Sequence, residues 1–391
     1  MRTLIIGVLS AVLGPCVLPP DDNGGSGGYE GLATRQVLWV SDQVSVDTLI
    51  EEVRMCGGVL RQRVDDLGLI AAVVTNDCVD DLMLREVIQF AELDAQVIVM
   101  SGTIGSSGVQ AALPEMVPFG AFRMGIDNVW DDGYFGLGAR VAIVDTGIDC
   151  EDSAFAQRIL YGIDVLGTNA WCRDQNGHGT MMAGIIADPH DGVGTMGEAP
   201  NVTLYDVKVL EADGVGFGSD VAAGVVWAAE HNVDVILLGF GGFSESRAME
   251  NAIDFAIMRR VSVVIAAGNV GDGDETTDEV LSPATHNVSG VIVVGATDEM
   301  DFVLDMSSSG PEVDVFAPAS FEYTSVLGGG YAFGIGTSFA AARVAGAVAL
   351  LRSQFPLLDA EVTEEIVIGN VSNAIPFVPA MLIEAYIGWE M

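Results

Sequence analysis

Short apolar runs alternate with amphipathic stretches from about residue 115 to the end of this 391-residue chain. The apolar runs are nearly continuous in Val, Ile and Leu, which is typical of strands buried on both faces of a parallel sheet. They are ARVAIVDTG, VTLYDVKVL, VDVILLGFGG, VSVVIAAGN and VIVVGAT, and the helical stretches between them are GTMMAGIIAD, SDVAAGVVWAAEHN and SRAMENAIDFAIMRR. This alternation predicts an α/β fold over residues 115–391, a doubly wound parallel sheet covered by helices.

A smaller unit at residues 36–100 precedes this sheet. Strands are predicted where β-branched and aromatic residues concentrate, in QVLWVS, GVLRQRV, LGLIAAVVT and AQVIVM. Helices are predicted where apolar residues recur at helical spacing, in SVDTLIEEVRMCGG and VDDLMLREVIQFAEL. The order β-α-β-β-α-β is that of a split βαβ, ferredoxin-like α+β domain. Residues 101–114 are rich in Gly and Ser and predict a linker.

The first 16 residues, MRTLIIGVLSAVLGPC, combine one Arg, a short apolar run and small residues. They predict a signal peptide, because the apolar run is too short to span a bilayer. The polar, Gly-rich residues 17–35 predict a linker. Cys16 lies where a bacterial lipoprotein carries its lipidated cysteine, although Pro15 replaces the small residue expected before it. We therefore expect a secreted, extracytoplasmic protein, either free or anchored to the membrane by a lipid on Cys16.

The chain is strongly acidic, with 55 Asp and Glu against 16 Lys and Arg and a net charge of −39. Such a surface repels phosphate groups, so the composition excludes nucleic acid and anionic lipid surfaces as partners. Half of the residues are hydrophobic, which is enough for a large core, and we expect a monomer.

Four further cysteines fall into two pairs along the chain, Cys56 with Cys78 and Cys150 with Cys172. An oxidising compartment favours a disulfide within each pair, because the two pairs lie in different segments. Buried free thiols are the alternative, and intact mass measured with and without reductant distinguishes the two.

Polar side chains interrupt the apolar pattern at strand ends and helix starts. Asp145 ends VAIVD, Asn269 follows VVIAAG, His178 lies between glycines in NGHGTMMAGIIA, and Ser338 lies near the start of GTSFAAARVAGAVALL. Catalytic groups gather where parallel strands end, so we expect these residues to meet at one edge of the sheet. Each has a structural alternative when taken alone: a turn former, a left-handed turn, a capping or core histidine, and a helix N-cap.

Together the four residues supply the parts of acyl transfer. A hydroxyl attacks, an imidazole takes its proton, a carboxylate orients the imidazole, and an amide N–H binds the developing oxyanion. The chain order Asp, His, Ser differs from the order Ser, Asp, His of the α/β-hydrolases. The segment GTSFA also lacks the G-x-S-x-G nucleophile motif of those enzymes.

Four motifs of the chain resemble those of the subtilisin-like serine peptidases, with some similarity to the proteinase K branch. They are VAIVDTGID, NGHGT, AAGN and GTSFAA, in that order. The resemblance covers roughly residues 115–391 and extends to DGVGFGS, SPAT, VIVVGAT and SSSGPEVDVFAP. It implies a serine endopeptidase that hydrolyses polypeptides through an acyl-enzyme and requires no cofactor for the chemistry. By this resemblance, Asp145, His178 and Ser338 are the triad and Asn269 is the oxyanion donor.

Residues 36–100 are similar to the inhibitory propeptide of this family, and AELDAQV resembles the usual approach to its cleavage site. The resemblance implies a zymogen in which the catalytic domain at 115–391 cuts its own chain between residues 100 and 116, with Ser338 as the nucleophile. The propeptide is then expected to act as an intramolecular inhibitor until it is degraded.

The resemblance also implies a set of substrate-binding residues. DGVGFGS matches the strand that pairs with substrate, and GFGG replaces the usual Ser-Leu-Gly-Gly on the wall of the pocket for the residue before the scissile bond. The implied residues are Gly214, Gly216, Gly239, Phe240, Gly241 and Leu281. Glycine removes a side chain and phenylalanine adds bulk, so we predict an apolar pocket that prefers hydrophobic residues of moderate size.

Two motifs depart from the family pattern. Met181 replaces the usual His after HGT, and Ala342 with Arg343 replaces the usual Pro-His after GTSFAA. Alanine suits a helix better than proline, so we expect the helix to keep its geometry. We also expect Arg343 to point away from Ser338.

Calcium is the one metal that the resemblance implies. Asp314 in PEVDVFAP matches a calcium-binding carboxylate of the family, with backbone carbonyls near Ser289 and Val291 as candidate partners. The acidic loop GDGDETTDE offers the oxygen ligands that Ca²⁺ prefers, but it equally suits a solvated turn. A structural Ca²⁺ and a metal-free turn both stay open.

Two other functions fit parts of the pattern. A catalytically silent relative that serves as a binding protein predicts the loss of a triad residue or of the oxyanion asparagine, and all four residues are present. A metal-dependent hydrolase that uses Asp145 and His178 needs a second histidine at ligand spacing, which this part of the sequence lacks.

Overall fold

The computed structural model divides the chain into two compact units, with the boundary between Asp94 and Ala95. The predicted signal peptide, Cys16 and nearly all of the first predicted linker lie outside the described residues. The structure describes residues 33–100, 102–104 (backbone alone), 114–151, 154–168, 171–273, 280–286 and 288–369.

The first unit is an antiparallel sheet with two helices. Its elements are β1 (Thr34–Val40), α1 (Val46–Met55), β2 (Val59–Val64), β3 (Leu69–Val74), α2 (Asn76–Leu84) and β4 (Ile88–Leu93). The order along the chain is the predicted β-α-β-β-α-β, and the order in the sheet is β2-β3-β1-β4. Leu38, Leu49 and Ile70 lie in its core, where α1 packs against β3.

The end of this unit differs from the sequence prediction. The predicted helix VDDLMLREVIQFAEL ends at Leu84, and its second half forms β4. Glu86 has a left-handed backbone with φ of 55°, through which a helix does not continue. Pairing of β4 with β1 outweighs the helical spacing of the apolar residues, because strand preference depends on the neighbouring strand. The predicted closing strand AQVIVM belongs to the second unit.

The second unit contains the remaining elements of the described residues. The five predicted strands and the predicted helices form, and the structure adds β8 and β14 to the sheet and a short strand, β6, within the predicted linker 101–114. The elements are β5 (Gln96–Ile98), β6 (Gly102–Ile104), α3 (Phe119–Arg123), α4 (Ile126–Asp131), β7 (Arg140–Asp145), β8 (Ile159–Asp164), α5 (His178–Ala187), β9 (Thr203–Lys208), β10 (Val215–Phe217), α6 (Gly218–Glu230), β11 (Val235–Leu238), α7 (Arg247–Ile257), β12 (Ser262–Ala266), β13 (Val291–Thr297), β14 (Val315–Pro318), β15 (Glu322–Ser325), β16 (Tyr331–Ile335), α8 (Thr337–Gln354) and α9 (Ala360–Gly369).

Seven parallel strands form the main sheet in the order β14-β13-β12-β11-β7-β9-β8. Every residue of β11, β12 and β13 is buried. Since successive side chains of a strand point to opposite faces, both faces of the sheet are covered, as the doubly wound α/β prediction requires. The strand order reverses between β7 and β11, and such a reversal opens a crevice at the carboxyl ends of the strands.

Helix α8 lies in the interior and contacts α5 and strands β11, β12 and β13. Every residue from Thr337 to Arg352 is buried. A helix that is apolar on all sides belongs in a core, and its Ala and Gly residues permit close packing. Its first turn, which carries Ser338, therefore lies deep against the sheet. No helix in the described part of the chain has both the length and the apolarity needed to cross a bilayer.

Both predicted cysteine pairs form disulfides in the structure. The Cα atoms are 5.9 Å apart in Cys56–Cys78 and 5.1 Å apart in Cys150–Cys172, within the usual range for a disulfide. Oxidation of these thiols in the isolated protein stays a prediction, and a mass shift of about 2 Da per pair on reduction is its test.

Candidate active site

A carboxylate and an imidazole meet at the carboxyl end of β7. Asp145 is the last residue of β7, and His178 is the first residue of α5. The Nδ1 atom of His178 lies 2.8 Å from Asp145 Oδ1 and 2.9 Å from Asp145 Oδ2. Both side chains are buried. A carboxylate on Nδ1 orients the ring and leaves Nε2 for proton exchange.

Ser338 lies in the first turn of α8 and approaches the same point. A Cβ atom placed on Gly239, the residue after β11, would lie 3.1 Å from His178 Cε1 and 3.2 Å from Asp145 Oδ2. It would also lie 3.5 Å from Ser338 Cβ. The three side chains therefore converge around Gly239, next to the reversal in strand order.

Two polar atoms at this point are buried without a hydrogen-bond partner among the described residues, His178 Nε2 and Ser338 Oγ. Leaving such a group unpaired costs about 1–3 kcal/mol, which is unusual for a residue with a purely structural role. The N-cap of α8 is Gly336, and the left-handed residue of the AAGN loop is Gly268. The capping alternative for Ser338 and the turn alternative for Asn269 are therefore wrong.

A further buried carboxylate, Asp174, stabilises the start of α5. Gly177, the N-cap residue, has φ of 106° and no side chain, so Asp174 supplies the capping oxygens. It accepts five hydrogen bonds of 2.7–3.1 Å, from Thr146 Oγ1, the N–H groups of Asn176, Gly177 and Thr180, and Thr180 Oγ1. Our sequence analysis missed Asp174, although an aspartate shortly before a helix start is a capping signal.

Thr146 links the two carboxylates to α5. Its N–H donates to Asp145 Oδ1 at 2.7 Å, and its Oγ1 donates to Asp174 and accepts from the Gly179 N–H at 3.0 Å. A Cβ on Gly179 would lie 2.1 Å from Gly147 O, so only glycine allows the loop after β7 to approach the helix this closely. One hydrogen-bond network therefore fixes both the ring and the backbone of His178.

The amide of Asn269 is oriented by the residue before the serine. Asn269 Oδ1 accepts from the Thr337 N–H at 2.8 Å, and the Gly268 N–H donates to Thr337 Oγ1 at 3.2 Å. These bonds leave Asn269 Nδ2 as a donor, and it donates to Met100 O at 3.1 Å. The predicted oxyanion donor thus already binds a carbonyl oxygen of the chain itself.

A strand of the chain's own sequence, β5 with the residues that follow it, lies along this edge. It pairs antiparallel with β10, which carries Gly216. On the other side, Ile98 and Gly241 exchange two backbone hydrogen bonds of 2.9 and 3.3 Å. The Val99 N–H donates to Gly214 O at 3.1 Å. All three of these predicted substrate-binding glycines therefore contact an extended chain.

The other predicted pocket residues lie in different places. Gly239 lies among the triad side chains, and Phe240 is buried. Leu281 lines a mostly apolar pocket together with Gly242, Phe243, Glu245, Val270, Val280, Ser282 and Thr285. The predicted preference for apolar residues stays a prediction.

Asp314, the predicted calcium ligand, lies just before β14. Its Oδ2 accepts from the Val293 N–H at 2.8 Å, and burial raises the pKa of Asp314 to about 6, with a further contribution from Glu364. The described residues contain no group of three or more His, Cys, Asp or Glu side chains that could hold a metal ion. This absence does not test a site made of one carboxylate and backbone carbonyls, and most of the acidic loop GDGDETTDE lies outside the described residues, so the Ca²⁺ stays a prediction. An unchanged melting temperature in EDTA would contradict it.

Arg343, one of the departures from the family pattern, is fully buried in α8. Its guanidinium forms ion pairs with Glu198 and Glu322. A Cβ on Gly120 would lie 2.3 Å from the guanidinium carbon, so this glycine makes room for it. Burial raises the pKa of Glu198 to about 7 and lowers the pKa of Arg343. Arg343 therefore forms a buried ion-pair cluster with these two carboxylates.

Comparison with known proteins identifies the family to which the fold belongs. Residues 136–381 match the model of the Subtilase family. Subtilisin DY of Bacillus licheniformis is 37% identical over 247 residues, which cover 63% of this chain and 88% of that protein. Alkaline elastase YaB of Bacillus sp. (strain YaB) is 34% identical over 315 residues, covering 81% of this chain and 76% of that protein. An intracellular serine protease of Paenibacillus polymyxa is 37% identical over 240 residues, which cover 60% of this chain and 73% of that protein. The chain therefore belongs to the subtilase family and is a serine-type endopeptidase.

Proposed function

We propose that the protein is an exported endopeptidase that hydrolyses polypeptides through an acyl-enzyme and is made as an autoprocessed zymogen. The observation that carries this proposal is the convergence of Asp145, His178 and Ser338 around Gly239. A proton must move between Ser338 Oγ and His178 Nε2 in acyl transfer, and both atoms are buried without a hydrogen-bond partner among the described residues.

Each side chain has one role in this proposal. Ser338 Oγ attacks the carbonyl carbon of the scissile bond while His178 Nε2 takes its proton. Asp145 keeps the ring in the correct tautomer and stabilises the imidazolium. Asn269 Nδ2 and the N–H groups at the start of α8 stabilise the oxyanion. His178 then passes the proton to the leaving amine, and water hydrolyses the acyl-enzyme by the same steps, so the chemistry requires no cofactor.

The zymogen part of the proposal is supported by the first unit and by the chain that follows it. The first unit has the β-α-β-β-α-β order expected of an inhibitory propeptide. In the segment that follows, the carbonyl oxygen of Met100 accepts a hydrogen bond from Asn269 Nδ2. We expect the first unit to inhibit the enzyme until it is degraded.

Export is supported by the predicted signal peptide at residues 1–16 and by the two cysteine pairs, whose Cα separations suit the disulfides that form in an oxidising compartment. The exported protein is either free or anchored to the membrane by a lipid on Cys16. The mass of the exported chain distinguishes the two forms, because a lipid adds to the mass of the fragment that carries Cys16.

A comparison of the full-length wild-type chain with the variant Ser338→Ala tests the proposal. Ser353→Ala is a matched control on the same helix, where Ser353 Oγ donates to Leu350 O at 2.6 Å. We expect the wild type and Ser353→Ala to lose the N-terminal segment and to cleave an unfolded protein substrate. Ser338→Ala is expected to stay whole and inactive. If all three chains stay whole and inactive, the protein is a silent relative that serves as a binding protein.

The pocket lined by Leu281 carries a second, finer proposal, that the enzyme prefers an apolar residue of moderate size before the scissile bond. Most of its lining is apolar, so burial of an apolar side chain stabilises the bound substrate. Profiling with a peptide library tests this preference, and dominant cleavage after Lys or Arg would contradict it.

A further inference from the structure

One carbonyl of the chain lies where the reacting carbonyl of a substrate belongs. Met100 O is 3.1 Å from Asn269 Nδ2, and the orientation of that amide is set by Thr337. Thr337 directly precedes Ser338, so the residue that orients the donor and the nucleophile belong to the same turn of α8. A donor at this distance marks the oxygen that becomes the oxyanion.

The residues before Met100 are held as the middle strand of three. On one side β5 pairs with β10, with Ile98 opposite Val215. Nearer to Met100, the Val99 N–H donates to the O of Gly214, the residue that precedes β10 by one position. On the other side Ile98 exchanges hydrogen bonds with Gly241. These bonds use the backbone alone, so they fix the register of the chain without regard to its side chains.

Two glycines leave room for this strand in this register. A Cβ on Gly214 would lie 2.3 Å from Val99 Cγ2, and a Cβ on Gly242 would lie 2.3 Å from Gln96 O. Real side chains do not approach this closely, so any other residue at either position would displace the strand. The surface of the cleft is therefore complementary to an extended chain that ends at Met100.

The residues after Met100 are paired as well. β6 is antiparallel to β16, with Gly102 opposite Ile335. Ile335 is followed directly by Gly336, Thr337 and Ser338. The chain is thus held by backbone pairing on both sides of the Met100 carbonyl, which is the arrangement that favours attack.

The described residues at the far end of the predicted 100–116 window lie against a different segment. The Glu115 N–H donates to Gly192 O, and the Met116 N–H donates to Gly194 O. These contacts are with the loop after α5, whereas the strand that ends at Met100 contacts the predicted substrate-binding glycines. The bond that follows Met100 is therefore better placed for cleavage than the bonds near Met116.

We propose that the enzyme cuts its own chain between Met100 and Ser101, an inference that rests on the proposed function and narrows its window to one bond. Ser338 Oγ bonds to the Met100 carbonyl carbon, the C–N bond to residue 101 breaks, and His178 carries the Oγ proton to the leaving amine. Water then cleaves the ester. Its hydroxyl completes the Met100 carboxyl group, and its proton returns through His178 to Ser338. The products are a fragment that ends at Met100 and an enzyme that begins SGTIG.

A time course of intact mass and N-terminal sequence tests the bond in three full-length chains: the wild type, Met100→Asp and Met116→Asp. Met116 is a matched control, because it is an exposed methionine in the same window. We expect the first fragments of the wild type and of Met116→Asp to meet at Met100 and Ser101. We expect Met100→Asp to process about a hundredfold more slowly at this bond, since an apolar pocket rejects a carboxylate.

If Met100→Asp fails to fold, a peptide with the sequence around the proposed scissile bond tests the same assignment. The sequence AQVIVMSGTIG is incubated with processed wild-type enzyme, and we expect cleavage after Met. A wild type that digests an unfolded protein but first cuts itself at another bond overturns the assignment and leaves the proposed function standing. A wild type that neither cuts itself nor digests the substrate overturns both.

Discussion

Two buried carboxylates hold His178, and they hold different parts of it. Asp145 contacts the ring, with both of its oxygens within 2.9 Å of Nδ1. Asp174 instead accepts five hydrogen bonds from the loop and the first turn of α5. Thr146 joins the two, since it donates to both carboxylates.

The difference separates chemistry from architecture. A carboxylate on the ring lowers the energy of the imidazolium, so it acts in the transition state. A carboxylate that accepts from neutral N–H and O–H groups keeps the backbone in place and complements the positive start of a helix. Asp145 should therefore affect turnover with little effect on folding, whereas Asp174 should affect both.

The largest expected effect is that of Asp145→Asn. An amide in place of the carboxylate favours the wrong tautomer of His178, and in a Ser-His-Asp triad this lowers kcat by about 10⁴. We expect the rate of self-processing, measured by intact mass, to fall by about this factor. The free energy of unfolding should hardly change when measured in the Ser338→Ala background. A decrease below tenfold would show that Asp145 does not act on the ring.

Asp174→Ala should lower the free energy of unfolding by about 3 kcal/mol or more, because each buried donor left without an acceptor costs about 1–3 kcal/mol. Urea unfolding in the Ser338→Ala background measures this loss. Asp174→Asn keeps one acceptor oxygen and should recover part of the stability. If Asp174 positions His178, active Asp174→Asn enzyme should show a lower kcat with nearly unchanged KM. Equal kcat and KM in wild type and Asp174→Asn would leave Asp174 a role in stability alone.

A third buried carboxylate, that of Asp206 in β9, can be compared with Asp145 and Asp174 through the pH dependence of stability. Burial raises the pKa of Asp206 to about 7, and the charge of Asp174 contributes to the rise. Because the folded pKa is raised, the neutral form stabilises the fold. Its contribution is complete below about pH 4 and is lost as the pH rises towards 7. We expect the unfolding free energy of Ser338→Ala to fall over this range, and to fall less in Ser338→Ala/Asp206→Asn. Parallel pH curves for the two chains would contradict the prediction.

Gly239→Ser should have the smallest effect. Its Cβ would lie 3.1 Å from His178 Cε1 and 3.2 Å from Asp145 Oδ2, contacts that a small shift relieves. We expect kcat/KM to change by less than about tenfold, which corresponds to about 1.4 kcal/mol. Gly239→Ala separates the effect of the added carbon from that of the hydroxyl. A loss as large as that of Asp145→Asn would show that the triad tolerates no atom at this point.

Much of the second unit was predictable because burial on both faces leaves a local signature. The strands β7, β11 and β12 are nearly continuous apolar runs, and each is followed by a polar or glycine-rich turn at the same edge of the sheet. The expectation that Asp145, His178, Ser338 and Asn269 lie together at this edge agrees with the structure. The prediction failed for β4, where helical spacing of apolar residues competed with pairing to β1.

The roles of Asp174 and Arg343 were not predicted, because their partners are distant in sequence. Asp174 caps α5 through Thr180 but also binds Thr146, which lies 28 positions away. Arg343 pairs with Glu198, which lies 145 positions away. A charged residue in an Ala-rich helix is only an anomaly in the sequence. Its partners become known when the sheet order and the packing of α8 are known.

The sequence by itself determined the alternation of strands and helices, the order of the four reactive residues and the split βαβ pattern, because these depend on periodicity and spacing along one segment. Only the tertiary structure decided that Asp174 stabilises the backbone of His178 and that the Met100 carbonyl meets Asn269, 169 positions further along the chain. Such contacts depend on the reversal of strand order between β7 and β11, which brings distant segments to one edge of the sheet.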